Sequence, residues 1–137
     1  MDIRVCIDVD DMARAIAFYG DGLGLRVGRR LKDDWVEMLG ASSPLDLLRS
    51  PAGTAPLGEA GAQRRSYDRH WTPVHLDFVV TDIDAAAARL VAHGARLERP
   101  IQRRAWGRMA NLADPFGHGL DLLAFSGRGY DEMLGPP

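Results

Sequence analysis

The sequence predicts an α+β fold made of two βαβββ modules, with curved mixed sheets, helices on the outside and one cleft that both modules share. Three observations predict it. Residues 3–9 and 73–81 alternate apolar and polar side chains, as strands with one packed face do. Each segment is followed by an aspartate and then by an apolar stripe at helical spacing. The tetrapeptide Leu-Asp-Leu-Leu at 45–48 recurs at 120–123, in keeping with an internal duplication.

In the first half, we expect Ile7 and the apolar residues of the same parity to face a helix layer, and Arg4, Cys6 and Asp8 to face the other way. Asp10-Asp11 offers an N-cap for the first helix. The glycines at 20, 22 and 24 are expected to end that helix, and short strands are expected at 25–30, 35–39 and 45–49.

The second half repeats this order. Val74, Leu76 and Phe78 share one predicted strand face, and His75 and Asp77 share the other. Thr81 resembles the start of a capping box, and further strands are expected at about 95–98, 105–112 and 119–125. We expect one domain over 1–137, with module 1 at 1–49, a linker or lid at 50–72, module 2 at 73–125 and a peripheral tail at 126–137.

Composition excludes several classes of function. The 137 residues are 46% hydrophobic and 26% charged, with a net charge of −2, so a folded domain is expected and a basic nucleic-acid surface is not. No apolar run reaches the roughly 18 residues that span a bilayer. Cys6 is the single cysteine, so no intrachain disulfide is expected, and the N-terminal residues lack a secretory pattern. We therefore expect a cytoplasmic protein with no membrane and no nucleic-acid partner.

The duplication pairs residues that bear chemistry. Arg4 is paired with His75 at the start of each half, and Asp46 with Asp121 near its end. Three roles stay open for His75: a cleft histidine bonded to Asp121 or Asp46, a metal ligand, or a general base. Asp8 and Asp77 are further candidate cleft groups. Trp35 and Trp106 are interpreted either as flat walls for an aromatic ligand or as core residues.

Two motifs in each half resemble those of a known superfamily. Residues 11–19, Asp-Met-Ala-Arg-Ala-Ile-Ala-Phe-Tyr, followed by Leu-Gly-Leu at 23–25, resemble the first-module signature of the vicinal-oxygen-chelate superfamily. That superfamily includes glyoxalase I, bleomycin-resistance proteins and extradiol dioxygenases. Residues 75–80 and 114–121 resemble its second module. The resemblance implies the paired-module fold, a homodimer and a small-molecule ligand, while the same scaffold hosts many chemistries.

In metal-dependent members of the superfamily, a histidine opens a module and a carboxylate lies on its last strand. By position, the resemblance implies ligand positions at Arg4, Asp46, His75 and Asp121. Arg4 departs from the pattern, because a guanidinium has no lone pair to donate, and at about 4 Å it would repel a cation by roughly 4 kcal/mol per charge at an effective dielectric near 20. Arg4 beside Asp46 and Asp121 instead resembles a salt bridge that replaces the metal.

The sequence thus favours a glyoxalase/bleomycin-resistance-like protein that binds a small, partly aromatic molecule in the cleft without a cofactor. Two alternatives stay open. One is an enzyme that uses a divalent metal (Zn, Ni, Mn or Fe) at His75, Asp46 and Asp121. The other is a metal-free enzyme with His75 as general base. The predicted cleft residues are Arg4, Cys6, Asp8, Trp35, Asp46, His75, Asp77, Trp106 and Asp121.

Overall fold

The first half of the chain forms a four-stranded mixed sheet with strand order β1-β4-β3-β2 in the computed structural model, which describes residues 1–58 and 61–134. Its strands are β1 (Val5–Val9), β2 (Arg26–Leu31), β3 (Trp35–Leu39) and β4 (Leu45–Arg49). β1 runs parallel to β4, whereas β3 is antiparallel to both of its neighbours. The bounds predicted for the third and fourth strands are confirmed. The first strand begins at Val5 rather than at residue 3, and Ile3 is exposed.

Helix α1 (Met12–Ile16) follows β1 and is capped as predicted. The Asp11 carboxylate accepts a hydrogen bond from the backbone N–H of Arg14 at 3.0 Å. After α1 the chain continues as a π-helical turn over Ala17–Gly22, and the helical segment ends among the predicted glycines, with Gly24 at a φ of +77°. Phe18 and Tyr19 in that turn are almost fully buried. Their packing against the core stabilises the helical conformation, which glycine residues disfavour.

The second half forms a five-stranded sheet with the equivalent topology, β5-β9-β8-β6, and with β7 also beside β8. Its elements are β5 (Leu76–Val79), α2 (Ile83–Ala92), β6 (Arg96–Leu97), β7 (Gln102–Arg104), β8 (Gly107–Ala113), β9 (Gly119–Phe125) and a final 3-10 helix (Gly129–Leu134). β5 is parallel to β9, and β9 is antiparallel to β8. The repeated order confirms an α+β fold with two mixed sheets.

One predicted strand of this half begins later than expected, and a short strand that was not predicted precedes it. The strand expected at 105–112 begins at Gly107, and a separate short strand precedes it across a turn that contains Trp106. Gly107 has φ of +147°, and a Cβ added there would lie 2.1 Å from the carbonyl oxygen of Ala124. The backbone of Gly107 therefore approaches β9 more closely than a side chain permits, and this fixes where β8 begins.

The cap of α2 also differs from the prediction. Asp82, not Thr81, is the N-cap, and its carboxylate accepts a hydrogen bond from the backbone N–H of Ala85 at 3.0 Å. Asp82 lies 71 residues after Asp11, as the duplication requires, so the two helices begin with the same residue type in the same role.

The chain divides into two compact units, one up to Asp68 and one from Arg69 onward. The predicted linker at 50–72 includes residues 59 and 60, and the predicted tail includes 135–137, all of which lie outside the described residues. Residues just before the division join the first unit: Arg65 bonds to Asp8, and the Tyr67 hydroxyl donates to the carbonyl of Ser50 at 2.5 Å. Among the described residues, no helix is both long enough and apolar enough to cross a bilayer.

In both units one sheet face packs on a helix and the other carries polar groups. Leu47 and Val36 of the first unit are buried on the helix-side face, as are Leu122 and Ala110 of the second. Since side chains alternate along a strand, their neighbours Asp46, Glu37, Asp121 and Asn111 lie on the opposite face. That face carries the candidate site of each unit.

Candidate functional site

The pairs that the duplication predicts occupy equivalent places in the two units. Arg4 directly precedes β1, and His75 directly precedes β5. Asp46 is the register partner of Cys6, and Asp121 is the register partner of Asp77. Each unit therefore brings one basic or imidazole side chain to a carboxylate on its last strand.

In the first unit these groups form a closed ion network. Arg4 donates from Nε and Nη2 to the two oxygens of Asp46, at 2.9 and 2.6 Å, and from Nη2 to Glu37 at 2.8 Å. Arg29 donates to both oxygens of Glu37. Two guanidinium groups thus face two carboxylates, whose side chains are only 5% exposed. Such paired, charge-assisted bonds satisfy groups that could not otherwise be buried.

Glu37 is a member of the network that sequence reasoning missed. The bonds from Arg29 and Arg4, the former first, lower its pKa to about 2 although burial opposes this. The hydrogen bonds of Arg4 to Asp46 and, to a lesser extent, to Glu37 raise the pKa of Arg4. Glu37 is the register partner of Asp46, and Asn111 is the register partner of Asp121, so Glu37 and Asn111 are equivalents. Strand pairing was the missing information, since in sequence Glu37 is simply a polar residue in a short strand.

Other predicted cleft residues of the first unit have separate partners. Asp8 accepts a hydrogen bond from Arg65 Nε at 2.7 Å. The Cys6 thiol lies 4.0 Å from Asp46 and is exposed. Trp35 is half-buried, with the Arg29 guanidinium 5.9 Å from its ring centroid. Trp35 therefore flanks the ion network, and its role as a ligand wall stays a prediction.

In the second unit the equivalent side chains are more exposed to solvent. His75 Nε2 lies 3.2 Å from Asp77 Oδ1 and 3.7 Å from Asp121 Oδ2, and the histidine side chain is 52% exposed. Partial burial raises the pKa of Asp77, the negative charge of Asp121 raises it further, and His75 opposes this. One imidazole is therefore shared between two carboxylates, and the longer distance exceeds that of a hydrogen bond.

Asn111 completes this group of side chains and was also missed from the sequence. Its Nδ2 donates to Asp121 Oδ1 at 2.7 Å, which fixes the orientation of the amide, because the carboxylate can only accept. Asn111 Oδ1 is then buried without a hydrogen-bond partner in the part of the chain that the structure describes. Buried acceptors of this kind are rare in folded proteins.

A pocket of about 180 Å³ opens beside these residues. Its polar wall includes His75, Asn111 and Asp121, and its rim includes Trp71, which is 80% exposed. The remaining lining residues are Arg69, Thr72, Glu98, Arg99, Leu112, Gly119 and Leu120. A cavity of about 150 Å³ accommodates benzene in another protein, so this pocket has room for one aromatic ring.

An ion pair between Arg69 and Glu98 lines the same pocket. Arg69 donates from Nε and Nη2 to the two oxygens of Glu98, at 2.7 and 3.0 Å, and this pairing lowers the pKa of Glu98. A Cβ added at Gly119 would lie 3.0 Å from Arg69 Nη2. Glycine at 119 therefore allows the arginine to lie close against β9.

Trp106 lies elsewhere in the second unit. Its ring contacts Phe125 and Tyr130, with centroid distances of 5.7 and 5.1 Å. Phe125 is four residues beyond Asp121 on β9, which is about 13 Å along a strand. The structure thus places Trp106 in an aromatic cluster with the terminal 3-10 helix and does not bring it to His75 and Asp121.

The candidate metal ligands also differ from the predicted set. His75, Asp77 and Asp121 each offer a ligand atom, and these atoms lie within 4.8 Å of one another. The sequence grouped His75 and Asp121 with Asp46, but Asp46 belongs to the first unit, where Arg4 binds both of its oxygens. The expectation that residues 4, 46, 75 and 121 line one cleft stays a prediction.

Comparison with known proteins gives consistent matches. The glyoxalase-like domain family matches residues 4–123. An anthracycline biosynthesis protein, DauV from Streptomyces sp. (strain C5), is 33% identical over 119 residues, which cover 83% of this chain and 38% of that protein. The chain spans about a third of the length of the curated relatives it matches.

Two solved structures show the same fold. The fosfomycin resistance protein FosX from Listeria monocytogenes is 18% identical with a TM-score of 0.68, over 90% of this chain and 92% of that one. A glyoxalase/bleomycin resistance protein/dioxygenase family enzyme from Burkholderia phytofirmans PsJN is 17% identical with a TM-score of 0.70, over 90% of this chain and 97% of that one. At these identities the likeness concerns the fold alone.

Proposed function

Because this chain belongs to the glyoxalase-like domain family, within the vicinal-oxygen-chelate superfamily, we propose that it binds a small, partly aromatic molecule without a catalytic metal. The ligand site is the pocket beside His75, Asn111 and Asp121. The observation that carries the proposal is Arg4: it stands where the second unit has His75, and it binds both oxygens of Asp46. A fixed cation thus occupies one of the positions that the superfamily resemblance assigns to metal ligands.

The first unit does not fit a metal ion. Arg4 offers no lone pair, and the carboxylates of Asp46 and Glu37 are already satisfied by guanidinium donors. A divalent cation would have to displace two arginines that remain charged at every accessible pH. Displacement would place the incoming ion next to the positive charges of Arg4 and Arg29, which repel it.

The pocket of the second unit suits an organic ligand. Asn111 Oδ1 and the carboxylate of Asp121 are acceptors that a ligand donor would satisfy. Trp71 at the rim offers a large exposed aromatic face for stacking. Relatives named for anthracycline biosynthesis and fosfomycin resistance support a small organic ligand. His75 is then a hydrogen-bonding group of the site and, in the metal-free enzyme alternative, its general base.

The second candidate function is a divalent-metal-dependent enzyme, and one observation favours it. His75, Asp77 and Asp121 supply three ligand atoms, and three protein ligands with an open position are typical of catalytic zinc. Bound there, a metal would act as a Lewis acid on substrate oxygens. The exposure of His75 and Asp77, at 52% and 40%, weighs against this candidate, because water competes for exposed ligands.

Ligand binding and metal content together test the proposal. The wild type, His75→Ala and Asp121→Asn are purified without chelators, and metal per chain is measured for each. Aromatic fragments are then screened by thermal shift and ligand-observed NMR. We expect substoichiometric metal and a fragment that stabilises the wild type, by about 2.7 kcal/mol at a hundred times its Kd. Asp131→Asn is the matched control, since this exposed carboxylate lies in the terminal 3-10 helix.

The outcomes separate the two functions. Fragment binding that Asp121→Asn weakens and Asp131→Asn leaves unchanged supports the metal-free site. Near-stoichiometric metal that is lost in His75→Ala refutes it in favour of the metal enzyme.

We also propose that the chain forms a homodimer, as the superfamily resemblance implies, and light scattering at several protein concentrations tests that state.

A further inference from the structure

The carboxylates beside His75 carry negative charge that the second unit does not neutralise. Asp77 and Asp121 are register partners on one sheet face, and oxygens of the two lie 3.2 and 3.7 Å from His75 Nε2. A protonated imidazole balances one of these carboxylates, and a neutral imidazole balances neither. When both carboxylates are ionised, the group therefore keeps at least one negative charge, whichever form His75 takes.

The first unit shows which kind of partner is missing. There, Asp46 and Glu37 are bound by the guanidinium groups of Arg4 and Arg29. In the second unit, no arginine or lysine among the described residues forms an ion pair with the carboxylates beside His75. A bound cation with N–H donors would make the charge-assisted bonds that guanidinium groups make in the first unit.

The polar wall of the same pocket offers a ligand acceptors rather than donors. Asn111 donates from Nδ2 to Asp121, and its Oδ1 is buried without a hydrogen-bond partner within the described residues. The Thr72 hydroxyl donates to the carbonyl of Val74 at 2.6 Å. A neutral His75 carries its proton on Nε2, which faces the carboxylates, so its Nδ1 is also an acceptor. A ligand that brings N–H groups is matched to this wall, and an anion is not.

The arginines that line the pocket do not supply the missing charge. Arg69 donates from Nε and Nη2 to Glu98 and from Nη1 to the carbonyl of His70, so all three of its nitrogen atoms have partners. Arg99 is exposed, and its charge acts on Glu98, whose pKa is lowered first by the bond from Arg69. In the part of the chain that the structure describes, neither arginine is paired with Asp121.

We propose that the ligand of this pocket is a small aromatic cation, an amine or an amidine, which donates to Asp121 and Asn111 and stacks on Trp71. Trp71 lies at the rim with 80% of its surface exposed, and the face of an indole attracts cations as well as flat rings. The inference rests on the proposed function and assigns the charge of its ligand.

Three ligands of nearly the same shape separate charge from size. Benzamidine is a cation that only donates, benzamide is neutral, and benzoate is an anion that only accepts. Each is titrated into the wild type and followed by NMR and calorimetry. Benzamidine should bind about tenfold more tightly than benzamide, because hydrogen bonds to charged groups are roughly twice as strong as neutral ones. Benzoate should bind most weakly, and added salt should weaken the binding of benzamidine more than that of benzamide.

Two matched variants assign the effect to the pocket. Asp121→Asn keeps the size of the side chain, and it should bring the Kd of benzamidine close to that of benzamide. Asp131→Asn removes an exposed carboxylate of the terminal 3-10 helix and should preserve the tenfold difference. Binding of benzamide to Asp121→Asn shows that the pocket is still folded.

The outcomes distinguish this inference from the proposed function. Benzamide or benzoate that binds the wild type as tightly as benzamidine overturns the inference and leaves the proposed function standing. Equal weakening of benzamidine binding by Asp121→Asn and Asp131→Asn, or no saturable binding of benzamidine, also overturns it. Near-stoichiometric metal that is lost in His75→Ala overturns both, because a metal would then hold the carboxylates.

Discussion

Replacing Glu37 by glutamine tests whether the ion network of the first unit stabilises the fold as a set of charges. Glutamine keeps the size of the side chain, so packing around the buried position is preserved. It loses the negative charge and turns one acceptor oxygen into an NH₂ donor. That donor must then face the guanidinium groups of Arg4 or Arg29, each of which now donates to Glu37. We expect the free energy of unfolding to fall at neutral pH.

The pH dependence of this loss follows from the pKa of Glu37, which is about 2 in the folded protein against 4.5 for an ordinary glutamate. Because the folded pKa is the lower one, the stabilisation is complete above about pH 4.5 and is lost as the pH falls toward 2. Between these limits, unfolding of the wild type takes up close to one proton at this side chain, whereas Glu37→Gln takes up none there.

Urea unfolding at a series of pH values from about 6 to about 2 measures the effect. The gap between the wild type and Glu37→Gln should be widest near neutral pH and should close across the acidic window. Asp34→Asn is the control, because Asp34 also binds an arginine, Arg49, but is 63% exposed and contributes little. A gap that stays constant down to pH 2 would refute the reasoning, since the loss would then be one of shape and not of charge.

Three further predictions concern the second unit, each measured by chemical unfolding. Gly107→Ala should destabilise by about 1–3 kcal/mol, because its Cβ would overlap the carbonyl of Ala124; an unchanged midpoint would contradict the close approach. Leu122→Ala, at a fully buried position, should cost about 2–5 kcal/mol, whereas Val79→Ala, 63% exposed, should cost under about 0.5 kcal/mol. Asp82→Ala should cost about 1 kcal/mol through loss of the α2 cap, and no loss would exclude that role.

Local sequence patterns predicted those strands whose buried face is continuous. β3 and β4 of the first unit, and β9 of the second, have the predicted bounds, because their apolar residues alternate or run together without interruption. Sequence patterns did not predict the backbone conformation where tertiary contacts determine it. Phe18 and Tyr19 are buried within a π-helical turn that the sequence did not predict, and β8 begins at Gly107, two residues later than predicted, where the backbone approaches β9.

The candidate site was predictable only in part, for a similar reason. Self-alignment found Arg4 and His75, and Asp46 and Asp121, because these pairs stand at equal distances from repeated motifs. It did not find Glu37 and Asn111, which become equivalent only through strand register. Asp77 was predicted as a cleft residue, and its place two residues after His75 on the same face makes it a partner of that histidine within the second unit.

Equivalent positions of the two units carry different charges, and this difference is why we propose the ligand site in the second unit. In the first unit, the carboxylates of Glu37 and Asp46 are each met by guanidinium donors, and the charges of the four groups cancel. In the second unit, histidine replaces Arg4 and an amide replaces Glu37. One guanidinium is thereby exchanged for an imidazole and one carboxylate for an amide, and Asn111 Oδ1 is left buried without a hydrogen-bond partner among the described residues.

Unsatisfied acceptors next to a pocket are costly in an empty protein, because a buried polar group without a partner loses its hydrogen bonds to water. Folded proteins retain such unfavourable groups mainly at functional sites, where a bound ligand can supply the missing hydrogen bond. In the first unit the acceptors of Asp46 are satisfied within the protein, because Arg4 donates to both of its oxygens. A His75→Arg substitution should therefore convert the second unit toward the first, raising stability through a bond to Asp121 while abolishing fragment binding. Higher stability with unchanged fragment binding would show that the pocket does not depend on these acceptors.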